Sequence, residues 1–287
     1  MLRIALPNKG RLSEDTRELF RDAGLDFRPA SDRALTATLG DAFEAIFVRS
    51  QDVAEFVADG AADAGVTGLD LIEESGRDVA PLLDLAFGRC RIVVATRDDS
   101  SVRDIDSMPA DARVATVFPR VTASFFSQRT QPIVVVPVTG ATEMAPRLGI
   151  ADFIVDITST GSTLRVNGLR EIATILNSSA RLIGSRTALK DPARAAALQE
   201  LKAALESVLG ARGKRYLMAN VPRSSLSEVR TILPGINGPT IVDILDGGEM
   251  VAVHAVVPES AIYRTIAALK AVGGAGILVT RIERLTA

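Results

Sequence analysis

Residues 152–171, DFIVDITSTGSTLRVNGLRE, constrain the fold more than any other stretch of the 287-residue chain. The apolar, β-branched run Phe153-Ile154-Val155 shows no polar alternation, the pattern of a strand buried on both faces. Such strands belong to α/β sheets covered by helices on either side. Asp156 follows at what this pattern makes the carboxyl end of the strand. Five hydroxyls then surround Gly161: Thr158, Ser159, Thr160, Ser162 and Thr163. Glycine lets a backbone approach a ligand closely, and converging N–H and O–H groups suit an anion. Leu164 opens a turn or short helix whose first N–H groups point at the same place. Strand, acid, hydroxyl-glycine loop and helix start make a phosphate cradle at the end of a parallel strand, where open α/β sheets bind ligands. Ser/Thr/Gly-rich connections are also ordinary turn chemistry, so the loop alone leaves both readings open.

The flanking chain alternates strand and helix signals. Residues 2–6 read as a buried strand, followed by the loop Pro7-Asn8-Lys9-Gly10-Arg11 and a helix capped by Ser13. Residues 43–49 form a strand ending at Arg49, with Ser50-Gln51-Asp52 capping a helix to about Asp59. A short strand at 63–68 leads into a helix that begins at Leu69-Asp70-Leu71 and closes at Gly76. A second α/β unit opens at 91–96. It continues with strand 113–117, helix 122–128, strand 133–138, helix 141–148, the loop-bearing strand, and strands near 171–176 and 181–185. Asp191 caps a long helix with Pro192 in its first turn and Gly210 at its end. From Arg212 the order becomes β-α-β-β-α-β, a ferredoxin-like module: strand 216–221, helix 224–233 with a Ser225/Glu228 capping box, strands 240–245 and 251–257, helix 259–272 and strand 276–281. The alternation supports two α/β lobes followed by this module.

Several classes are excluded. With 33 basic against 35 acidic residues, a net charge of −2 and no broad basic footprint, nucleic acid is not an expected partner. No G-x-x-x-x-G-K-[ST] motif and no strand-linked G-x-G-x-x-G occur, which argues against P-loop and dinucleotide folds. One histidine and one cysteine cannot build an N/S zinc site. Cys90 lies in an apolar run, which makes it a buried structural residue and points to a reducing cytosol. His254, inside the strand of the last module, reads as structural or subunit-facing. No apolar run reaches the roughly 18 residues of a spanning helix, and the N-terminus lacks a signal-peptide layout. The expected location is cytoplasmic, with no membrane association.

Glu143, Gly149, Ala151, Ile154, Asp156, Ile157, Thr160, Gly161, Thr163 and Leu164 together resemble the signature of the ATP phosphoribosyltransferases. The segments PNKGRL (7–12), VRSQDV (48–53) and GVTGLD (65–70) are similar to the cleft segments of the same family. The resemblance covers the whole chain. It implies a two-lobed, periplasmic-binding-protein-like (type II) catalytic unit with a C-terminal ferredoxin-like regulatory domain. The implied divisions are residues 1–90 and 178–210 for lobe I, 91–177 for lobe II and 211–287 for the regulatory domain. The implied activity is condensation of ATP, through adenine N1, with phosphoribosyl pyrophosphate, which is the first step of histidine biosynthesis. Mg²⁺ is the implied cofactor, held largely by substrate oxygens with no metal ligand assigned to the protein. ATP, phosphoribosyl pyrophosphate, the inhibitor L-histidine and further copies of the chain, from dimer to hexamer, are the implied partners.

The same resemblance implies roles. Thr158, Ser159, Thr160, Gly161, Ser162 and Thr163 hold the 5′-phosphate, with Asp156 towards the ribose hydroxyls or the metal-bearing side. Lys9, Gly10, Arg11 and Arg49 meet pyrophosphate or ATP phosphate, and Asp70 sits near nucleotide hydroxyls. Glu143 belongs to the same region. Lys9, Arg49 and Asp156 are the candidate catalytic residues. Asn220, Ile236, Gly238, Thr240 and Ala275 are the candidate histidine site, although Asn220 stands where some relatives present an acid. The competing classes are a two-lobed sensor of a phosphorylated small molecule and a phosphoribosyltransferase acting on another base.

Overall fold

The computed structural model describes residues 1–29, 34–245 and 248–286. The chain divides into two compact units, residues 1–203 and 204–287. The first unit opens with β1 (Leu2–Pro7), α1 (Ser13–Asp22), β2 (Phe27–Pro29), β3 (Thr36–Leu39), β4 (Phe43–Val48), α2 (Val53–Ala58), β5 (Ala64–Gly68), α3 (Leu69–Ser75) and β6 (Val79–Asp84). It continues through β7 (Cys90–Arg97), β8 (Ala112–Thr116), α4 (Pro119–Ser127), β9 (Ile133–Pro137), β10 (Phe153–Thr158), α5 (Ser162–Val166), β11 (Leu169–Ser178) and β12 (Ala180–Ser185). α6 (Pro192–Ala211) spans the division between the units.

Two sheets organise the first unit. One runs β2-β3-β4-β1-β5-β12-β6 and the other β11-β7-β10-β8-β9. Both share a plan. In the first, β4, β1 and β5 run parallel, and β12 pairs antiparallel between β5 and β6. In the second, β9, β8 and β10 run parallel, and β7 pairs antiparallel between β10 and β11. Each sheet therefore reads second-first-third, then a reversed strand entering from the other lobe, then fourth. The chain passes between lobes after β6 and again between β11 and β12, at Ser179. This double crossover is the type II periplasmic-binding-protein-like plan, and it sets the carboxyl ends of the parallel strands at the ligand-binding edge.

Burial explains the elements. β5 is buried along its whole length, and Phe153, Ile154 and Val155 of β10 are 0–2% exposed, as their unalternating sequence requires. Separate clusters around Ile92, Val114 and Phe126, and around Val93, Ala115 and Ile154, fill the two faces of the second sheet.

The second unit carries β13 (Lys214–Pro222), α7 (Leu226–Ile232), β14 (Thr240–Asp243), β15 (Met250–Pro258), α8 (Ile262–Ala271) and β16 (Ala275–Arg281) in one sheet ordered β14-β15-β13-β16. With helices after the first and third strands, this is the ferredoxin-like arrangement. Strict alternation along β15 buries Val251, Val253, Ala255 and Val257 on one face.

Local expectations needed correction where long-range partners intervened. Ser13 does not cap α1: its N–H donates to the Gly10 carbonyl, its side chain is buried, and Leu12 takes the cap position. Ser225 makes no capping box, because its hydroxyl donates to the Val272 carbonyl. The helix expected over 141–148 is a single 3₁₀ turn, Thr142–Met144. Pro146 lacks the N–H that a continuing helix needs. α6 runs past Gly210 to Ala211, since the roughly 1 kcal/mol helix penalty of one glycine is outweighed by burial of Val208 and Ala211. α4 begins at Pro119, earlier than expected. Proline needs no N–H partner there, and the next two N–H groups are satisfied from the other lobe.

Candidate functional site

β10 extends two residues beyond Asp156, so this acid lies within the ladder opposite Val93 of β7 and not at the strand end. The loop begins at Thr158, whose hydroxyl accepts the Gly161 N–H at 2.8 Å. Gly161 sits in the left-handed region at φ 75°, where a side chain would be strained. This turn directs Thr160, Ser162 and Thr163 outward, and all three are exposed. The Thr160 hydroxyl donates to Ser162 Oγ at 3.0 Å, and Arg165 Nη1 donates to the Thr160 carbonyl at 3.2 Å. Ser159 Oγ donates to the Arg89 carbonyl at 3.2 Å, fastening the loop to the first crossover.

The loop forms one wall of a cavity of about 260 Å³ lined by residues 157–160, Ser162, Thr163, Cys90 and Arg11. Arg11 is thus the predicted cation that the fold brings to the loop. Its Nη2 donates to Asp70 Oδ1 and Oδ2 at 3.1 and 3.0 Å, and its Nη1 donates to the Gly88 carbonyl. Asp70, only 1% exposed, also accepts the Ser178 hydroxyl at 2.6 Å. The structure therefore places Asp70 behind Arg11, with its carboxylate occupied, and away from an open position suited to nucleotide hydroxyls.

Lys9, Gly10 and Arg49 are exposed at the carboxyl ends of β1 and β4, which the Pro7–Val48 register sets side by side. Neither cationic side chain is engaged by another described residue. Neither lines the loop cavity.

Asp156 is largely desolvated. Burial pushes its carboxyl pKa up, the nearby Glu143 charge pushes it further, and hydrogen bonds from the Ile157 N–H and from Thr142 oppose both. Glu143, from the 3₁₀ turn after β9, is therefore an electrostatic neighbour of Asp156, while it lines a different cavity with Arg97 and Arg147. No cluster of three or more metal-ligating side chains occurs among the described residues. Cys90 is 5% exposed, and its thiol is pushed up by burial and by the Asp70 charge, which fits a structural thiol.

Three further features were not anticipated from the sequence. A second cavity of about 440 Å³ shares Cys90 and Ser159 with the first and adds Arg89, Arg91 and Arg181. Arg91 is held by Glu171 at 2.7 Å, Arg181 pairs with Asp84 at 3.0 Å, and the buried Arg181 Nε has no hydrogen-bond partner among the described residues. Glu74 of α3 reaches across the lobes, its two oxygens accepting the Arg120 and Val121 N–H groups at 3.0 Å each. Ser178 joins Asp70 over a separation of 108 residues. Only the three arginines had a possible clue, their spacing around the two crossovers.

In the second unit, Asn220 pairs in register with Ala275 on one side and Ala252 on the other. Thr240 lies on β14, at the opposite edge of the sheet from β16. Three strand spacings of nearly 5 Å set these edges about 14 Å apart. Ile236 is 51% exposed and Gly238 lies in the turn before β14. The five expected residues thus lie on three strands and the turn that leads into one of them: Ala275 on β16, Asn220 on β13, Thr240 on β14, and Ile236 and Gly238 just before it. His254 shares a 2.7 Å hydrogen bond with the Tyr216 hydroxyl, a structural contact between β15 and β13. No helix among the described residues is long and apolar enough to cross a membrane.

Comparison with known proteins gives a consistent picture. A family model described as ATP phosphoribosyltransferase matches residues 49–207, and one described as the HisG C-terminal domain matches residues 211–284. An ATP phosphoribosyltransferase of Gemmatimonas aurantiaca is 63% identical over 292 residues, with 99% of each chain covered. One of Halobacterium salinarum is 48% identical over 289 residues, again with 99% of each covered. Among solved structures, an ATP phosphoribosyl transferase (HisG:HisZ) complex from Thermotoga maritima matches with a TM-score of 0.63 at 28% identity. That match covers 73% of this chain and 99% of the other.

Proposed function

The chain belongs to the ATP phosphoribosyltransferase family, and from that premise we propose how its cleft performs the family reaction. That reaction is a pentosyl transfer and the first step of histidine biosynthesis. A bond forms between adenine N1 of ATP and C1 of the phosphoribosyl group, and the C1–O bond breaks with its electron pair leaving on pyrophosphate. Adenine N1 is a neutral lone pair, so the attack needs no strong base. The demands are positioning and neutralisation of charge.

The observation that carries this reading is the hydroxyl-glycine loop facing the Arg11 guanidinium across one small cavity. Residues Thr158 to Thr163 cradle the 5′-phosphate through hydroxyl and backbone N–H groups. Asp156, desolvated and beside Glu143, is a carboxylate whose ionised form is favoured by positive charge developing at C1. Arg11, with Arg89, Arg91 and Arg181 in the adjoining cavity, faces pyrophosphate or the ATP phosphates. Lys9 and Arg49 supply positive charge at the strand ends, engaged by no other described residue.

Mg²⁺ would be held here mainly by substrate oxygens and water, with Asp156, two residues before the loop, as the carboxylate on its side. It supplies charge neutralisation on the departing pyrophosphate. The C-terminal module is the place for histidine inhibition. Further copies of the chain, in a cytoplasmic homo-oligomer, belong to the same reading.

The test is a coupled assay with ATP, phosphoribosyl pyrophosphate, Mg²⁺ and a pyrophosphatase, following the phosphoribosyl-ATP absorbance. A rise suppressed by free histidine is expected. A rise insensitive to histidine removes the regulatory part, and no rise refutes the catalytic reading.

A further inference from the structure

We propose that Ser178 is a positioning residue for Arg11, acting through Asp70, so that both segments joining the lobes hold one substrate-facing guanidinium. This rests on the transferase reading for its substrates, but the geometry stands by itself. Ser178 ends β11 at the second crossover. Its hydroxyl donates to Asp70 Oδ1 at 2.6 Å while its oxygen accepts the Asp70 N–H at 3.0 Å, locking both side chain and backbone at the start of α3. Asp70 then meets Arg11 Nη2 with both oxygens. Gly88, from the first crossover, accepts from Nη1.

The Asp70 side chain is 2% exposed, whereas that of Arg11 is 36% exposed and lines the loop cavity. The buried end is fixed and the open end is presented. Close packing supports the arrangement: a Cβ on Gly68 would lie 2.2 Å from Asp70 Oδ1. With Nη2 on the Asp70 carboxylate and Nη1 on the Gly88 carbonyl, two nitrogens fix the plane of the guanidinium, and a buried carboxylate that loses a donor is free to move towards another or to draw in water. Removing the Ser178 hydroxyl therefore frees Asp70 to shift, and Arg11 shifts with it.

The experiment is a double-mutant cycle over Ser178→Ala and Arg11→Ala. It is read by kcat and KM for both substrates and, independently of turnover, by calorimetric binding of inorganic pyrophosphate to each full-length variant. Ser178→Ala is expected to lower kcat/KM and pyrophosphate affinity about tenfold in the native background, the effect of one hydrogen bond to a charged group. In the Arg11→Ala background it is expected to change neither. Ser178→Thr, which keeps the hydroxyl, restores most of the loss.

Equal losses in both backgrounds, or none in the native one, overturn the proposal while leaving the transferase reading intact. Coupling in pyrophosphate binding without any turnover supports the relay and sinks the transferase reading. Absence of both binding and turnover in the native protein overturns the relay as well. Should Ser178→Ala fold poorly, Ser178→Cys, which keeps the side chain's shape but only a weak S–H donor, gives the same coupled loss.

Discussion

Glu74 offers the sharpest perturbation, because one carboxylate closes two backbone bonds between the lobes. Its oxygens accept the Arg120 and Val121 N–H groups at 3.0 Å each, at a helix start where no side-chain cap from Phe118 exists. A fully buried hydrogen bond to a charged group contributes about 1.5–3 kcal/mol. Here one bond is exposed and the other only partly buried, so a value near that of a partly buried anion at a helix N-terminus, about 2 kcal/mol for the pair, is appropriate. Glu74→Ala then shifts the balance between closed and open lobes by about 30-fold. Glu74→Gln, which keeps a neutral oxygen for one bond, shifts it by about fivefold. Small-angle scattering without substrate should show a larger radius of gyration for Glu74→Ala. Kinetics should show a raised KM for phosphoribosyl pyrophosphate and a kcat that recovers at saturation. Glu73→Ala, at the exposed neighbouring position, should do neither. Scattering and KM for Glu74→Ala indistinguishable from those of Glu73→Ala would refute the latch.

The other expectations are simpler. Asp156 has its folded pKa raised, chiefly by burial. An acid of this kind binds its proton more tightly when folded, so stability falls as pH rises from the ordinary carboxylate value through the raised one, and the penalty persists above it. Asp156→Asn should therefore be more stable than the native chain at pH 7, with the difference vanishing in acid, while turnover falls; denaturant titrations at both pH values decide this. Gly161→Ala forces a side chain into φ 75° and puts its Cβ 3.0 Å from both Arg165 Nη1 and Glu171 Oε1. A stability loss of about 1–2 kcal/mol and a raised KM for phosphoribosyl pyrophosphate are expected, and an unchanged KM would detach the loop from the substrate. Thr163→Val removes an exposed hydroxyl of the cavity wall. It should raise that KM about tenfold with no change in melting temperature, since no folded-state bond of the side chain is lost. Asn220→Ala should weaken histidine inhibition and leave both Michaelis constants alone, as steady-state assays with added histidine would show.

The sequence by itself determined most of the elements and the loop, but not the short or edge strands β2, β3 and β6. Unalternating β-branched runs such as Phe153-Ile154-Val155 read as buried strands, the Asp191-Pro192 start and helical spacing define α6, and Gly161 among hydroxyls marks a tight backbone turn. These signals are local, carried by residues a few positions apart, and they survive without knowledge of the fold. Where a local signal competed with a distant partner it failed, as with Ser13 and Ser225, because a hydroxyl donates to whichever carbonyl the packed chain brings near. Only the tertiary structure decided the strand order, with one reversed strand from each lobe inserted into the other lobe's sheet. It alone singled out Arg11 from Lys9 and Arg49, since what distinguishes them is the buried Asp70 behind one of the three. The joins Ser178–Asp70 and Glu74–Arg120 cross 108 and 46 residues. No periodicity or spacing announces such pairs, because their chemistry arises only when two crossovers and two helix ends are brought within 3 Å of each other.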